Sequence, residues 1–272
     1  MQAGSWQPDG ATAQVQNQFS HQQHHATFQH RLVQLQPGQS QPIATGNLAH
    51  LVVIVSGQAR LMVQTQLQTV TAGTLVWCPA ATITTLQNDV TATAAVVYFE
   101  LRYRPLTRWR LGRNLIFPSQ SPPLPDWKGA QLVTPPAPEG VTTTHSIQLR
   151  SLQSQAWQTT PYGNLAQTTF TRQALQAEFA LKWLKLEPGM GNDLHDQPLY
   201  ETYVFIQGEG NVRVNATEQD CHPGDCVFIP ARSPHWLRNE STAPVVLLAI
   251  KYAPVTLGAV LATCLLYTSP SP

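Results

Sequence analysis

The chain has 272 residues, of which only 11% are charged, and its formal net charge is +1. This length suits one large domain or two of ordinary size, and the balanced charge provides no basic surface for nucleic acid. The sequence has no apolar run of about 18 residues and no signal-peptide pattern at its start. We therefore expect a cytoplasmic protein that binds a small-molecule substrate and neither nucleic acid nor a membrane.

The first thirty residues are rich in glutamine and histidine and show little apolar periodicity. Histidine-rich stretches can bind metal, but the spacing of these histidines matches no closed site. We therefore predict a polar tail over residues 1–30. The four cysteines of the chain are too scattered for a disulfide scaffold, and we interpret them as buried thiols.

The rest of the chain repeats itself. Five punctuating residues of the first half recur 151 positions later in the same order. The first set is Gly38, Gly57, Gly73, Pro79 and Asn88, and the second is Gly189, Gly208, Gly224, Pro230 and Asn239. VVYFELRYRP at 96–105 also matches VVLLAIKYAP at 245–254, so the copies differ by two residues in one loop. The chain is thus a duplicated unit.

Each unit contains short β-branched and apolar runs, such as LVVIVSG and TYVFIQG, separated by Gly, Pro and Asn. This pattern is typical of an all-β fold, a small antiparallel sandwich or barrel with room for one ligand. The units span residues 31–105 and 171–256. Residues 106–170 are rich in proline and are predicted to form a linker or a wrapping arm, and 163–178 are predicted to add a strand or short helix.

The second half resembles the cupin superfamily in two motifs. The first motif runs G-x5-H-x-H-x3,4-E-x6-G and the second G-x5-P-x-G-x2-H-x3-N. The matching residues are Gly189, His195, Gln197, Glu201 and Gly208, then Gly224, Pro230, His235 and Asn239, with Arg232 at the second motif's internal glycine. The resemblance implies two tandem cupin barrels, of the double-stranded β-helix or jelly-roll type, joined by the proline-rich linker.

The resemblance also implies a metal site formed by His195, Gln197, Glu201 and His235. Two imidazoles and one carboxylate make a facial triad that suits Fe(II), and the glutamine oxygen can add a fourth ligand. Gln197 stands where most cupins have a second histidine. It either shifts the preference toward Mn or Fe or is a tolerated replacement in a glutamine-rich protein. The alternative to a metal site is that both histidines are hydrogen-bonded residues inside the barrel.

The first half has Ala44, Gly46, His50 and Thr84 at the four ligand positions. Because one imidazole cannot hold a metal ion, we predict that the first barrel is degenerate and that His50 is a satisfied core histidine. This barrel would serve stability, an interface or ligand gating.

The sequence assigns no catalytic residue, but four residues are candidates for lining a pocket. Tyr203 and Phe205 share the parity of Glu201 along their strand and are predicted to point inward with it. Lys182 is a candidate contact for an anionic substrate, and Arg232 for the mouth of the pocket. Core aromatic packing and ordinary solvated charges are the alternatives.

Among two-barrel cupins the layout is similar to the ureidoglycine aminohydrolases, Mn-dependent enzymes with an empty first barrel. That family also uses one glutamate, two histidines and one glutamine, but at different motif positions. The resemblance implies a metal-dependent hydrolase that acts on a small oxygen-bearing metabolite. An Fe(II) dioxygenase and a non-enzymatic metabolite- or sugar-binding cupin remain alternatives. The pairing of cupins through their sheets implies a homo-oligomer, and CLLYTSPSP at 264–272 is predicted to be a non-native tail.

Overall fold

A computed structural model describes thirteen stretches of the chain. They are residues 6–9, 13–19, 26, 28–43, 46–63, 65–105, 147–152, 156–160, 164–168, 170, 172–175, 177 and 179–253. Within them the fold is almost entirely β, with one four-residue helix, α1 (Arg172–Leu175). No helix in these stretches is long and apolar enough to cross a membrane.

The first barrel combines a seven-stranded sheet, in the order β1-β2-β3-β10-β5-β8-β11, with a four-stranded sheet, β4-β9-β6-β7. All pairings are antiparallel. The strands are β1 (Gln7–Asp9), β2 (Ala13–Phe19), β3 (Phe28–Leu35), β4 (Ser40–Ile43), β5 (Ala49–Ser56), β6 (Gln58–Val63), β7 (Gln66–Thr71), β8 (Thr74–Cys78), β9 (Thr84–Gln87), β10 (Val96–Tyr103) and β11 (Gln148–Ser151).

The second barrel combines a six-stranded sheet, β12-β13-β14-β20-β15-β18, with a three-stranded sheet, β17-β16-β19. Its strands are β12 (Gln158–Thr159), β13 (Leu165–Gln167), β14 (Phe179–Leu186), β15 (Tyr200–Gln207), β16 (Gly210–Val214), β17 (Thr217–Cys221), β18 (Cys226–Ile229), β19 (His235–Arg238) and β20 (Val245–Tyr252). The predicted all-β fold of two tandem jelly-roll barrels is therefore confirmed.

The central strands β5 and β20 are buried along nearly their whole length, whereas the edge strand β7 is mostly exposed. A strand with both faces covered reads as a continuous apolar run rather than an alternating one, as in LVVIV of β5 and VVLLAI of β20. One face lines the strand's own barrel. The other face packs against the opposite barrel.

The repeat in the sequence is also a repeat in the hydrogen bonds. The Asn88 side-chain amide donates to the main-chain oxygens of Leu35 and Ala94, at 3.0 and 2.9 Å. The Asn239 amide makes the matching two bonds in the second unit, at 2.9 and 2.8 Å. The motif asparagine thus ties the loop before β10 to the end of β3, and the loop before β20 to the end of β14.

The two barrels share one apolar core, to which strands of both units contribute. Aromatic rings at repeat-equivalent positions meet there. Phe28 and Phe179 have ring centroids 5.0 Å apart. Phe28 also packs edge-on against Tyr252, and Phe179 packs edge-on against Tyr103, each at 5.0 Å. The barrels are therefore held face to face by a reciprocal set of contacts.

Residues predicted to be a tail or a linker add strands to these sheets. β1 and β2 pair with each other, and β2 pairs with β3, so residues 7–9 and 13–19 extend the first sheet instead of forming a polar tail. β11 pairs with β8, and β13 pairs with β14. β13 and α1 match the strand or short helix predicted over 163–178. Residues 106–146, Ala44 and the 264–272 segment lie outside the described residues.

Candidate functional site

The two motif histidines lie side by side at the second barrel. His195 precedes β15 and His235 begins β19. Their main chains exchange two hydrogen bonds, of 3.1 and 2.9 Å, and form an isolated antiparallel bridge. This bridge places the two imidazole centroids 4.3 Å apart. The motif spacing therefore brings together two ring nitrogen donors that are 40 residues apart in the chain.

Both imidazoles have the same tautomer, and a main-chain oxygen fixes it. His195 Nδ1 lies 2.8 Å from the oxygen of Asp193, and His235 Nδ1 lies 2.8 Å from that of Ser233. A carbonyl oxygen only accepts, so each Nδ1 carries the proton and donates it. In a neutral imidazole of this tautomer, Nε2 is the acceptor nitrogen. This is the arrangement by which proteins orient metal-binding histidines.

His235 Nε2 is buried without a hydrogen-bond partner and lies 3.6 Å from Glu201 Oε2, too far for a good hydrogen bond. His195 is half-buried, and burial lowers its pKa, which favours the neutral, electron-donating imidazole. The predicted triad of His195, Glu201 and His235 therefore converges on one region of the barrel.

Glu201 is fully engaged by two neighbouring side chains. The Gln197 amide donates to Glu201 Oε2 at 2.7 Å. Lys251 Nζ lies 3.2 Å from Glu201 Oε1 and donates to Gln197 Oε1 at 2.6 Å. The three side chains form a closed triangle. Gln197, predicted as a fourth ligand through its oxygen, here presents its nitrogen to Glu201 and its oxygen to Lys251.

Lys251 is a site residue that the sequence analysis missed. It lies on β20 directly opposite Glu201 on β15, and it is buried. The motif ends at Asn239, twelve residues before Lys251, so motif matching alone does not reach it. The repeat does carry a signal, because the equivalent residue of the first unit, Arg102, is also basic.

The Glu201 carboxyl is ionised although it is wholly buried. Burial raises its pKa, but the neighbouring charge of Lys251 opposes this effect, and the net shift is downward. Burial lowers the pKa of Lys251, with Glu201 opposing. Tyr203 lies against Glu201, and its pKa is raised by burial and by the carboxylate's charge.

The four predicted pocket residues differ in their surroundings. Tyr203 contacts the ion pair, whereas Phe205 is fully buried among apolar residues of the second barrel's core. Lys182 is half-buried close to Lys251, and its pKa is lowered by burial and by that neighbouring charge. Arg232 is exposed, and its main-chain nitrogen donates to the main-chain oxygen of Gln197 at 2.7 Å.

The donor set fits a divalent cation in its chemistry: two imidazole Nε2 atoms, one of them an orphan, and a buried carboxylate. In the described residues, however, no group of three His, Cys, Asp or Glu side chains is arranged to hold a metal ion. Glu201 is turned toward Lys251 and Gln197. The candidate ligand residues are thus present, but the Glu201 carboxylate is paired with other side chains of the protein.

In the first barrel the same region is a closed ion cluster. Glu100 on β10 accepts from Arg31 Nε at 2.6 Å and from Arg102 Nε at 3.0 Å. His50 Nδ1 lies 2.7 Å from its other oxygen, so His50 is a satisfied core histidine as predicted. Burial raises the pKa of Glu100, but His50, Arg102 and Arg31 lower it by more, to about 2.

The cluster continues to the N-terminal strand. Asp9 on β1 accepts from Arg31 Nη1 at 2.5 Å and from Gln41 at 3.2 Å. At the remaining ligand positions, Thr84 donates its hydroxyl to the Met62 main-chain oxygen, and Gly46 has no side chain. In the first barrel, arginine side chains therefore supply the positive charge that the buried carboxylate requires.

Comparisons with known proteins agree with this fold. Residues 182–251 match the family model described as Cupin domain. No curated protein sequence matches the chain.

Solved structures resemble the chain across both barrels. Protein Ylba from E. coli is 12% identical, with a TM-score of 0.62 over 93% of this chain and 88% of that one. The oxalate decarboxylase of Lactobacillus farciminis, in its formate complex, is 15% identical, with a TM-score of 0.58 over 98% and 88%. AerE from Microcystis aeruginosa is 12% identical, with a TM-score of 0.57 over 92% and 96%. At these identities the likeness establishes the two-barrel cupin architecture and no particular chemistry.

Proposed function

We propose that the second barrel is the site of a metal-dependent enzyme that acts on a small, oxygen-bearing, anionic metabolite. The observation that carries the proposal is the orphaned Nε2 of His235, buried beside the His195 imidazole and the Glu201 carboxylate. A buried nitrogen with an unused lone pair is costly unless something binds it. Mn or Fe(II), held by His195, Glu201 and His235, would satisfy it.

A divalent cation supplies Lewis-acid polarisation of a substrate oxygen or, as Fe(II), dioxygen chemistry. The protein's residues do the remaining work. Asp193 and Ser233 hold the two imidazoles in the donating tautomer through their main-chain oxygens. The pairing that keeps Glu201 ionised makes it a ready anionic ligand.

Lys182 and Lys251 give the proposed pocket its preference for negative charge. Lys182 approaches from β14 and Lys251 from β20, on adjacent strands. Burial and the proximity of Lys251 lower the pKa of Lys182, so the pair gains from a nearby anion. A carboxylate or ureide-like group fits this environment better than a neutral sugar does.

Metal binding is the first test of the proposal. The purified full-length chain would be freed of metal, titrated with Mn²⁺ or anaerobic Fe²⁺, and measured for bound metal per chain. We expect one equivalent in the wild type and loss of binding in His235→Ala. The matched control is His222→Ala, which removes an exposed histidine outside the cluster. Equal metal content in both variants would contradict the proposal.

The reaction class is tested on the metal-loaded protein. Ammonia release from a panel of ureides identifies a hydrolase, and oxygen uptake with small diketones or phenols identifies a dioxygenase. Stoichiometric metal with neither activity would overturn the enzymatic part of the proposal and favour a metabolite-binding cupin.

A further inference from the structure

The Lys251 ammonium lies in the second barrel close to where a metal ion bound to Glu201 would lie. Its ammonium lies 3.2 Å from Glu201 Oε1 and 2.6 Å from Gln197 Oε1. The same Gln197 donates to the other oxygen of Glu201 at 2.7 Å. Both carboxylate oxygens are thereby satisfied, and the buried negative charge is neutralised without any added ion.

A carboxylate offers about four acceptor sites, so a cation that approaches Glu201 meets both of these partners at close range. Gln197 is neutral and can rotate its amide, so that its oxygen faces the cation. Lys251 carries a positive charge, and like charges repel strongly where water is scarce. Lys182 lies close by and adds to the repulsion. The larger obstacle to metal binding is thus the Lys251 ammonium.

In the first barrel, basic side chains of the protein neutralise the buried carboxylate without any added ion. Arg102 lies opposite His50 on the paired strand, as Lys251 lies opposite Glu201. There Glu100 is bound by Arg31 and Arg102, and the carboxylate is satisfied by side chains alone. Strand β10 in the first barrel and strand β20 in the second thus each supply a basic side chain to the buried carboxylate of that barrel.

We propose that Lys251 is a built-in counter-cation, which pairs with Glu201 in the metal-free protein and must be displaced when a metal ion binds. Lys251 thereby sets the affinity of the second barrel for divalent cations. This inference rests on the proposed function, since it concerns the same three ligands. Metal binding also frees the ammonium of Lys251 next to the position of an anionic substrate.

The test compares metal affinities of full-length variants, with Mn²⁺ alone as the probe and its free-ion electron paramagnetic resonance signal as the readout. Lys251→Met keeps the length of the side chain and removes its charge, and we expect at least tenfold tighter binding than in the wild type. Lys251→Arg keeps the charge, and we expect affinity equal to the wild type or weaker. Lys185→Met is the matched control, with a change below threefold, because Lys185 lies on β14 and pairs with Glu187.

A second measurement uses the wild-type protein, so the proposal does not depend on the folding of Lys251→Met. The Lys251 ammonium resonance in ¹H–¹⁵N spectra is assigned by its absence in Lys251→Arg. Saturating Zn²⁺ is expected to shift or remove this resonance while Lys185, which pairs with Glu187, is unaffected.

The two proposals fail in different ways. Metal binding in the wild type that is unchanged or weakened in a folded Lys251→Met variant overturns the role of Lys251 alone, as does a Lys251 resonance indifferent to bound Zn²⁺. If no variant, including Lys251→Met, binds Mn²⁺ or Zn²⁺, the proposed function fails and this inference fails with it.

Discussion

The two barrels share one fold and treat a buried carboxylate in opposite ways. In the first, Glu100 is held by Arg31, Arg102 and His50, and its charge is fully met by side chains. In the second, Glu201 has a single lysine partner beside two imidazoles, one of which has an orphaned nitrogen. A duplicated fold can thus surround its buried carboxylate with several basic side chains in one copy and with a single lysine and two imidazoles in the other.

The largest expected difference between the barrels appears when the carboxylates are neutralised. Glu100→Gln removes the buried charge that Arg31, Arg102 and His50 share, and we expect it to cost about 3–5 kcal/mol in the free energy of unfolding. Glu201→Gln should cost clearly less in the metal-free protein, because Lys251 can lose its proton whereas arginine cannot. Urea denaturation of both variants measures the two costs. Equal costs would show that the clusters are energetically alike.

Low pH should destabilise the first barrel through protonation of Glu100. Its pKa is about 2 in the folded protein against an ordinary 4.5. A depressed carboxyl pKa stabilises the fold above the unfolded value, so this contribution is full above pH 4.5 and is lost as pH falls toward 2. The difference corresponds to about 3 kcal/mol. Free energies of unfolding measured between pH 6 and 2.5 should fall less steeply in Glu100→Gln than in the wild type.

The turn glycines give a third, smaller contrast. Gly208 has a φ of 75°, and a Cβ there would lie 2.3 Å from the Pro244 oxygen. We expect Gly208→Ala to destabilise the protein by well over about 1 kcal/mol. At the equivalent Gly57 the nearest atom is 2.9 Å away, so the cost should be lower. Gly189→Ala is the control, because its φ is also positive but no atom lies within 4 Å. A melting temperature of Gly189→Ala that is no higher than that of Gly208→Ala would contradict this expectation.

Arg232 gives the smallest expected effect, and it is a gain. Its φ is 58°, in the left-handed region that the motif glycine would occupy without strain. Relief of this strain outweighs the added freedom of the unfolded chain, so Arg232→Gly should stabilise the protein by up to about 1 kcal/mol. Ala81→Gly, at the equivalent position with a φ of 63°, should do the same in the first barrel. A melting temperature that falls in both variants would show that neither backbone is strained.

The fold could be predicted because the residues that mark its turns occur in both units. The repeated glycines and asparagines mark turns whose positive φ and amide hydrogen bonds recur in both units. The N-terminal strands could not be predicted from composition. In β2, AQVQNQF, Ala13, Val15 and Gln16 are buried and Gln14 is exposed, and the abundance of glutamine concealed these buried positions.

The candidate site was predicted as far as the motif extends. His195, Glu201 and His235 meet because strand register and one main-chain bridge bring them together, and the spacing encodes both. Lys251 comes from the last strand, and its role depends on pairing across β15 and β20 that no local spacing specifies. The short motif covers only residues up to β19. It does not include β20, the strand that brings the charge of Lys251 to the site.

The reciprocal aromatic contacts between the barrels have an evolutionary consequence. Phe28 meets Phe179, and each also meets the tyrosine at the end of the other unit's last strand. Contacts in which i meets j and j meets i are the signature of an isologous interface between identical subunits. The two units of this chain are therefore arranged as the subunits of a homodimer are. Because they belong to one polypeptide, a substitution in one unit is not repeated in the other, and each unit can vary on its own.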